Sequence, residues 1–422
     1  MTTAMSLRAG LPEAEPAALG FSAERLGRID QAIERRVERR EIPGAVTLVA
    51  RRGRVAQFAA HGYADIVKKT PLRPDAIFRI ASMTKPIASL ATLMLYEEGH
   101  FFLDDPISKF LPAFKQMRVL AGAPPPGVHT PFSGAATVPA VREITVRDCL
   151  THTAGFAGNP ATPAPDGAVR SVADQVAELA TKPLVFQPGT GWLYGPGHNV
   201  AGVLVETISG RTPEAFMRER IFAPLGMNDS SFYLPEEKLE RFPPLYQSLP
   251  LDAATGWQLW EMDRPDTSAK VRGPRIQFAG GGGLLSTAAD YARFAQLLLN
   301  GGELDGVRLL GRKTVELMTT NHTGDLFIYV RGRGYGYGLG VGVRLDLVGS
   351  PAVGTPGTYG WGGAYSTYYF ADPAEQLLGL IFLQVNPAVA ATDVQAEATQ
   401  QPEHMRRAGQ EFERLAYQAL VD

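Results

Sequence analysis

The sequence has almost no cysteine and no long apolar run. Cys149 is the only cysteine among 422 residues, so no disulfide bond forms within the chain and nothing indicates an oxidising compartment. Its neighbours form a helix-like pattern, which predicts a buried small side chain rather than a nucleophile. No segment approaches the length of a membrane span, and residues 1–20 contain no apolar core of signal-peptide length. We therefore expect a cytoplasmic protein with no membrane partner.

The chain also lacks an excess of charge of either sign. Its 41 basic and 43 acidic residues give a formal net charge of −2. Such a balance gives no electrostatic reason to bind nucleic acid or an anionic membrane. Hydrophobic residues make up 45% and charged residues 20% of the chain, which is typical of a globular protein with an ample core. The length predicts one large domain with an insertion, or two domains.

Two common hydrolase signatures are missing. No serine has the Gly-x-Ser-x-Gly surround of an α/β-hydrolase nucleophile. There is no His-Glu-x-x-His and no Cys/His cluster, so we expect no metal and no organic cofactor. His152, His198 and His322 are free to serve in catalysis, but none lies in a pattern that marks it. A helix cap or a satisfied polar contact is the commoner role for such histidines.

The chain does contain Ser-x-x-Lys, formed by Ser82 and Lys85, at the start of an apolar helical pattern that ends at Gly99. Residues three apart on a helix share a face, so the Lys85 ammonium can reach the Ser82 hydroxyl. The helix dipole in the first turn favours an anionic oxygen. A serine beside a lysine on a buried helix is a plausible activated nucleophile. The alternative interpretation is a helix cap followed by a surface lysine.

Strand patterns lie near both ends of the chain, and helical patterns lie between them. This order predicts an α+β fold in which one sheet is built from both termini and a mostly helical region is inserted. We place the α/β subdomain at residues 1–115 and 270–422, and the helical subdomain at 116–269, within one catalytic unit. Ser22, Thr145, Ser171 and Thr212 are predicted helix starts.

Three further stretches are rich in glycine and proline or lack a regular pattern. The glycine run 280–283 is not followed by Lys-Ser/Thr, so it predicts a close-packed backbone rather than a phosphate loop. Residues 121–140 predict a long surface excursion, and residues 252–278 predict irregular structure. The last two are candidates for the wall of a substrate pocket.

Two other stretches place aromatic residues beside glycines. Residues 186–197 form a glycine-proline loop that delivers Tyr194 just before a helix. Such a tyrosine is usually ordinary packing, but beside a lysine its phenolate form is stabilised and can act as a general base. Residues 359–366 lead into a strand. Their paired glycines let the backbone approach a ligand, so that a backbone N–H can face an acyl oxygen.

Five stretches together resemble the serine β-lactamase and penicillin-binding-protein superfamily in its class C-like branch. Within it the chain looks most like the family VIII carboxylesterases. The stretches are Ser-Met-Thr-Lys at 82–85, Leu-Thr-His-Thr-Ala-Gly at 150–155, the Pro-Gly loop at 188–194, Gly-Gly-Gly-Leu-Leu-Ser-Thr at 281–287 and Trp-Gly-Gly at 361–363. The resemblance spans residues 20–420, and the ordered set is far more specific than any single motif.

The resemblance implies acyl-enzyme chemistry on an antiparallel sheet flanked by helices, with the substrate in the cleft beside a helical subdomain. Ser82 would be the acylated nucleophile, Lys85 its proton-handling partner, and Tyr194 the base or its relay. The backbone N–H groups of Ser82 and Ala364 would form the oxyanion hole. The expected substrate-binding residues are Trp361, Gly362 and Gly363.

Two departures from the family pattern bear on the substrate. Where β-lactamases of this branch have Tyr-x-Asn, this chain has Pro196, which offers no side-chain amide to a β-lactam or peptide. Where they have Lys-Thr-Gly, Trp361 removes a cation that would bind a substrate carboxylate. We therefore expect hydrolysis of small, neutral, short-chain esters. The alternatives are a β-lactamase or D-amino-acid peptidase, an acyltransferase using the same acyl-enzyme, and a non-catalytic sensor.

Overall fold

The computed structural model describes residues 10–122, 135–158, 168–252, 256–350, 352–387 and 403–422. Its helices are α1 (Ala23–Glu38), α2 (Thr84–Glu97), α3 (Val146–Thr151), α4 (Val172–Leu179), α5 (Gly197–Ser209), α6 (Pro213–Met217), α7 (Ala269–Arg272), α8 (Ala288–Leu299), α9 (Arg312–Met318) and α10 (Glu403–Gln418). Short 3₁₀ turns cover Pro16–Leu19, Ala81–Met83, Ile107–Lys109, Pro112–Phe114 and Glu236–Arg241, and a π-helical turn, Arg218–Phe222, continues α6.

The strands in the described part of the chain form one large sheet and several small ones. They are β1 (Gly44–Arg51), β2 (Arg54–Asp65), β3 (Thr70–Pro71), β4 (Phe78–Arg79), β5 (Arg118–Leu120), β6 (Thr137–Pro139), β7 (Leu245–Asp252), β8 (Gly256–Asp263), β9 (Leu285–Ser286), β10 (Glu303–Leu304), β11 (Val307–Arg308), β12 (Tyr335–Tyr337), β13 (Gly342–Arg344), β14 (Tyr359–Gly362), β15 (Tyr368–Asp372), β16 (Leu377–Phe382) and β17 (Val385–Pro387). The large sheet has eight strands in the order β12-β13-β14-β15-β16-β1-β2-β3.

Every neighbouring pair in the large sheet is antiparallel. Strands β1 to β3 come from the N-terminal part and β12 to β16 from the C-terminal part, and the two sets meet where Val46 pairs with Phe382. The α+β class and the sheet built from both termini are therefore confirmed.

The central strand β1 is buried along its whole length because both faces of the sheet are covered. Ala45 and Val49 pack with Ile29 of α1 and Phe412 of α10 in one apolar cluster. Val46 belongs instead to the larger cluster on the other face, where α8 lies on the sheet and α2 packs against α5 and α9. Helix α2 thus starts beside the large sheet and runs into the main core.

The helix starts predicted from the sequence are confirmed by side-chain caps. Ser22 accepts a hydrogen bond from the Arg25 N–H at the start of α1. Thr145 and Ser171 each form a capping box with an aspartate three residues later, at the starts of α3 and α4. Thr212 caps α6 by accepting a hydrogen bond from the Ala215 N–H, with proline at the first helical position. Each of these starts is encoded within four residues of chain.

The prediction that residues 252–278 are irregular is wrong over much of its length. Strand β8 pairs antiparallel with β7, and the short helix α7 follows it. The side chains along β8 are mostly exposed or half-buried, with Trp260 and Met262 facing outward. Because none of the β8 side chains is fully buried, the sequence of this strand carries no clean alternation of apolar and polar residues.

Residues 116–269 contain α3 to α6 and also the ribbon β7-β8, which is joined to β17 of the C-terminal part. The division into subdomains 1–115 with 270–422, and 116–269, stays a prediction. Within the described residues, no helix is both long and apolar enough to cross a membrane.

Candidate functional site

Ser82 lies in the 3₁₀ turn Ala81–Met83, and Lys85 lies in the first turn of α2 directly after it. The Lys85 ammonium donates a hydrogen bond to Ser82 Oγ at 3.1 Å and another to the Gly281 carbonyl at 2.6 Å. The Lys85 side chain is only 4% exposed. The interpretation of Lys85 as a surface lysine is thereby excluded, and its charge is directed at Ser82.

The turn that carries Ser82 is held from several sides. Ala81 has φ of +45°, a left-handed conformation that is unusual for a residue with a side chain. Its carbonyl accepts a hydrogen bond from Thr84 Oγ1 at 2.7 Å, and the Tyr291 hydroxyl donates to the Met83 carbonyl at 2.9 Å. A backbone conformation of this kind persists only where its surroundings impose it, and such conformations cluster at functional sites.

The glycine run 280–283 packs directly against this turn. A Cβ atom on Gly280 would lie 2.4 Å from the His198 carbonyl oxygen, so only glycine fits there. The Gly281 N–H donates to Asn199 Oδ1 at 2.8 Å, which leaves the Gly281 carbonyl turned toward Lys85. The run is therefore the close-packed backbone that the sequence predicts, and it supplies one of the two acceptors for Lys85.

Tyr194 also lies against the Lys85 ammonium. The Lys85 Nζ is 4.5 Å from the centroid of the Tyr194 ring. The indole N–H of Trp361 donates to Tyr194 Oη at 3.3 Å, and the Tyr194 backbone N–H donates to the Tyr329 hydroxyl at 3.2 Å. The structure thus brings Ser82, Lys85 and Tyr194 into one cluster from two separate parts of the chain.

A layer of buried aromatic and imidazole rings lies behind Tyr194. The His152 ring is 4.7 Å from the Tyr194 ring and 5.0 Å from the His198 ring, measured between centroids. Burial lowers the pKa of both histidines well below the usual value, and the nearby charge of Lys85 lowers them further. Both imidazoles are therefore neutral at ordinary pH, and neither adds a positive charge beside Lys85.

The glycine pair after Trp361 lies at the end of strand β14 and approaches the turn that carries Ser82. A Cβ atom on Gly363 would lie 2.4 Å from the Ile80 carbonyl oxygen. The Thr367 hydroxyl donates to the same carbonyl at 3.2 Å, which fixes this contact from the β15 side. Ala364 follows at an exposed position in the turn. The backbone predicted to face the acyl oxygen is therefore held beside the residues that precede Ser82.

The two positions that depart from the family pattern have defined places. Trp361 is buried, and its ring contacts both the Tyr194 ring and the Arg331 guanidinium, whose carbon is 4.9 Å from the indole. Pro196 precedes α5 as its N-cap residue and is buried. The nearest amide side chain in sequence, Asn199, accepts the Gly281 N–H through its Oδ1.

Of the three histidines that the sequence leaves free to serve in catalysis, His152 lies against the Tyr194 ring, within the Leu-Thr-His-Thr-Ala-Gly stretch. Tyr329, which accepts the Tyr194 backbone N–H, carries no signal in the sequence. His322 instead bonds Arg147 and the Leu317 carbonyl.

Burial raises the pKa of the Cys149 thiol, which agrees with an inert side chain. The predicted pocket walls 121–140 and 252–278 fall partly outside the described residues. Across the described ranges, no group of three or more His, Cys, Asp or Glu side chains is arranged to hold a metal ion.

Comparison with known proteins gives a consistent assignment. The Beta-lactamase family model matches residues 29–401. Protein Rv1367c of Mycobacterium tuberculosis is 36% identical over 407 residues, which cover 90% of this chain and 95% of that protein. Esterase EstB of Burkholderia gladioli is 30% identical over 403 residues, which cover 89% and 94% respectively. The structure of EstCE1, a hydrolase with promiscuous acyltransferase activity, has a TM-score of 0.71 at 22% identity, covering 94% of this chain and 99% of that one.

Proposed function

We propose that this chain, which belongs to the beta-lactamase family, hydrolyses short-chain carboxylic esters through an acyl-enzyme on Ser82. The resemblance to serine β-lactamase-like esterases is confirmed by the family match and by the identity to EstB over nearly the whole of both chains. The ester substrate and the residue roles are the proposal. The observation that carries it is the hydrogen bond of 3.1 Å from the buried Lys85 ammonium to Ser82 Oγ, with Tyr194 against the same ammonium.

In the proposed acylation step, Ser82 Oγ attacks the ester carbonyl carbon and its proton passes to the Lys85–Tyr194 pair. The tetrahedral intermediate places its negative charge on the former carbonyl oxygen, which the backbone N–H groups of Ser82 and Ala364 would receive. The C–O bond to the alcohol then breaks, and the pair gives its proton to the departing oxygen, so that the leaving group departs as the neutral alcohol and the pair is free to accept a proton again. Lys85 supports the step because a fixed positive charge stabilises an anionic oxygen next to it.

Deacylation reverses the same proton movement. A water molecule attacks the acyl carbon of the Ser82 ester, its proton passes to the Lys85–Tyr194 pair, and the pair returns a proton to Ser82 Oγ as the acid leaves. This scheme uses only side chains and backbone N–H groups of the chain, together with water, and needs no cofactor. Atoms balance as one ester and one water giving one acid and one alcohol.

The preference for neutral esters is supported by the surroundings of Tyr194. Trp361 presents an indole where related β-lactamases carry a lysine, so no cation at this position binds a substrate carboxylate. Pro196 offers no side-chain amide, and the Asn199 side-chain oxygen accepts the Gly281 N–H. Together these residues favour a substrate recognised by its apolar parts, with Trp361, Gly362 and Gly363 along its binding edge.

Acyl transfer to an alcohol is the second candidate. The EstCE1 structure is described as a hydrolase with promiscuous acyltransferase activity, and an acyl-enzyme does not dictate whether water or another nucleophile removes the acyl group. A β-lactamase or D-amino-acid peptidase is less favoured, since both would use the amide and the cation that this chain has replaced.

The test is a paired rate measurement on p-nitrophenyl butyrate and a chromogenic cephalosporin, with wild type and the Ser82→Ala variant. We expect ester turnover that the variant loses, with little cephalosporin cleavage. Lys85→Ala and Tyr194→Phe should each lower kcat by about 10²- to 10⁴-fold, the range for removal of an acid–base group. Cephalosporin turnover equal to ester turnover would replace the esterase assignment by a β-lactamase. Labelling of Ser82 without turnover of either would indicate a sensor.

A further inference from the structure

The two residues on either side of Tyr194 in the chain, Leu193 and Gly195, both donate hydrogen bonds to His152. The Leu193 N–H donates to the His152 backbone carbonyl at 3.0 Å. The Gly195 N–H donates to the His152 side-chain Nδ1 at 3.3 Å. Between these two contacts the His152 ring lies against the Tyr194 ring, with centroids 4.7 Å apart. We propose that His152 is a positioning residue that sets the location of the Tyr194 phenol beside Lys85 through its Nδ1 acceptor.

His152 is itself rigidly held. It ends α3 in the left-handed conformation, with φ of +61°. The next residue, Thr153, donates its hydroxyl to Asp148 Oδ1 at 2.9 Å, and its carbonyl accepts the Gly189 N–H at 2.8 Å. Asp148 is buried and paired with Arg142 at 2.6 Å. The segment that follows α3 is therefore held in place, and the loop that carries Tyr194 is hydrogen-bonded to it through the N–H groups of Gly189, Leu193 and Gly195.

The hydrogen bond from Gly195 also determines the state of the imidazole. A ring nitrogen that accepts carries no proton, so the neutral ring has its proton on Nε2. That Nε2 is buried and has no hydrogen-bond partner among the described residues. Protonation would put a second N–H on Nδ1, facing the Gly195 N–H, and would add a charge beside His198 and near Lys85, with Tyr194 and Tyr337 as the other titratable rings in contact. The site is built for a neutral His152.

This assignment rests on the proposed function, since it gives His152 the task of holding the proposed base. It differs from the helix-cap role of His152, which any residue that adopts the left-handed conformation can fill. The distinguishing feature is the acceptor at the Nδ1 position. An asparagine carries an oxygen at the same distance along the side chain and tolerates positive φ well. A glutamine carries its oxygen one bond further out, and a phenylalanine keeps a ring but has no acceptor.

The experiment compares His152→Asn, His152→Gln and His152→Phe with wild type. The matched control is His61→Asn, at a histidine bonded to Asp30 on the opposite side of the sheet. Each is assayed with p-nitrophenyl butyrate at a temperature where circular dichroism shows it folded. We expect His152→Asn to retain kcat within about threefold, and His152→Gln and His152→Phe to lose about 10²-fold in kcat with little change in KM, the size associated with misplacing a reacting group by about 1 Å. The control should keep wild-type kcat.

Hydrogen exchange of the peptide over residues 186–197 gives a second readout that does not need turnover. Protection of the Gly195 amide should be retained in His152→Asn and lost in His152→Phe. Equal kcat in all three variants, or losses that follow their melting temperatures regardless of the acceptor, would overturn the assignment. If wild type and His61→Asn both fail to hydrolyse the ester, the proposed function fails, and the exchange pattern alone then decides the role of His152.

Discussion

The indole Nε1 of Trp361 donates a hydrogen bond of 3.3 Å to the phenol oxygen of Tyr194. By the family resemblance, Trp361 stands where β-lactamases of this branch have a lysine that would bind a substrate carboxylate. In this chain the same position supplies a hydrogen-bond donor to the proposed base. The Arg331 guanidinium lies against the indole, with its carbon 4.9 Å from the ring, and restricts its orientation. The proposal therefore gives Trp361 two roles, one toward the Tyr194 phenol oxygen and one in the preference for a neutral substrate.

Removing the indole N–H while keeping a ring is the direct check of this relationship. In Trp361→Phe we expect kcat for p-nitrophenyl butyrate to fall about three- to tenfold, because a single neutral hydrogen bond contributes about 0.5–1.5 kcal/mol. KM should change little, since an aromatic wall is retained. The matched control is Trp192→Phe, because the Trp192 indole N–H is buried without a hydrogen-bond partner in the described structure. A larger loss in the control than in Trp361→Phe would contradict this role.

The stability of the protein should fall as the pH falls below about 6.5. Burial lowers the pKa of His152 and His198 in the folded state, whereas both protonate near 6.5 in the unfolded chain. The unfolded state thus binds more protons below that pH, so the stabilisation is complete above it and is lost as acid is added. For two groups the slope approaches about 2.7 kcal/mol per pH unit.

Urea unfolding of wild type and of His152→Asn with His198→Asn, at about pH 7.5 and about pH 5.5, measures this contribution. The double variant should lose much less stability between the two pH values than wild type does, even if it is less stable at both. An identical pH dependence would show that the two imidazoles are not the source.

The glycine run 280–283, whose Gly281 carbonyl accepts a hydrogen bond from Lys85, should not tolerate a side chain at Gly280. In Gly280→Ala the new Cβ would meet the His198 carbonyl oxygen at 2.4 Å, so the backbone must shift, at a cost of about 1–3 kcal/mol. The control is Gly282→Ala, whose Cβ would lie no closer than 3.7 Å to its neighbours. Thermal unfolding should show a clear decrease in Tm for the first variant and a small change for the second. Equal melting temperatures would mean that the close packing of the run is not essential.

Structural features that depend on only a few consecutive residues, such as helix caps, could be predicted from the sequence. The caps at Ser22 and Thr145, and the Ser82–Lys85 spacing, each depend on chain geometry within four positions, so helix rules alone predict them. The sheet joining both ends of the chain followed from strands with strong apolar patterns. Strand β8 was missed because its exposed side chains give no periodic signal.

The contacts that orient Tyr194 depend on parts of the chain that are far apart in sequence. Trp361 is 167 residues from Tyr194, and the His152 ring reaches Gly195 across 43 residues. No local pattern encodes such distances, and only the packing of α3, α5 and the large sheet brings these groups together. The presence of the three main candidates was therefore predictable from motifs, whereas the layer that supports them was not.

The central claim is that the reaction passes through an acyl group on Ser82, and a covalent intermediate can be sought directly. Wild-type protein is mixed rapidly with excess p-nitrophenyl butyrate, quenched in acid, and analysed by intact mass and by peptide mapping. The account predicts a mass increase of one butyryl group on the peptide containing Ser82, formed together with a burst of p-nitrophenol equal to the enzyme present, and neither signal in Ser82→Ala. A butyryl group on any other residue, or ester turnover that survives in Ser82→Ala, would contradict it.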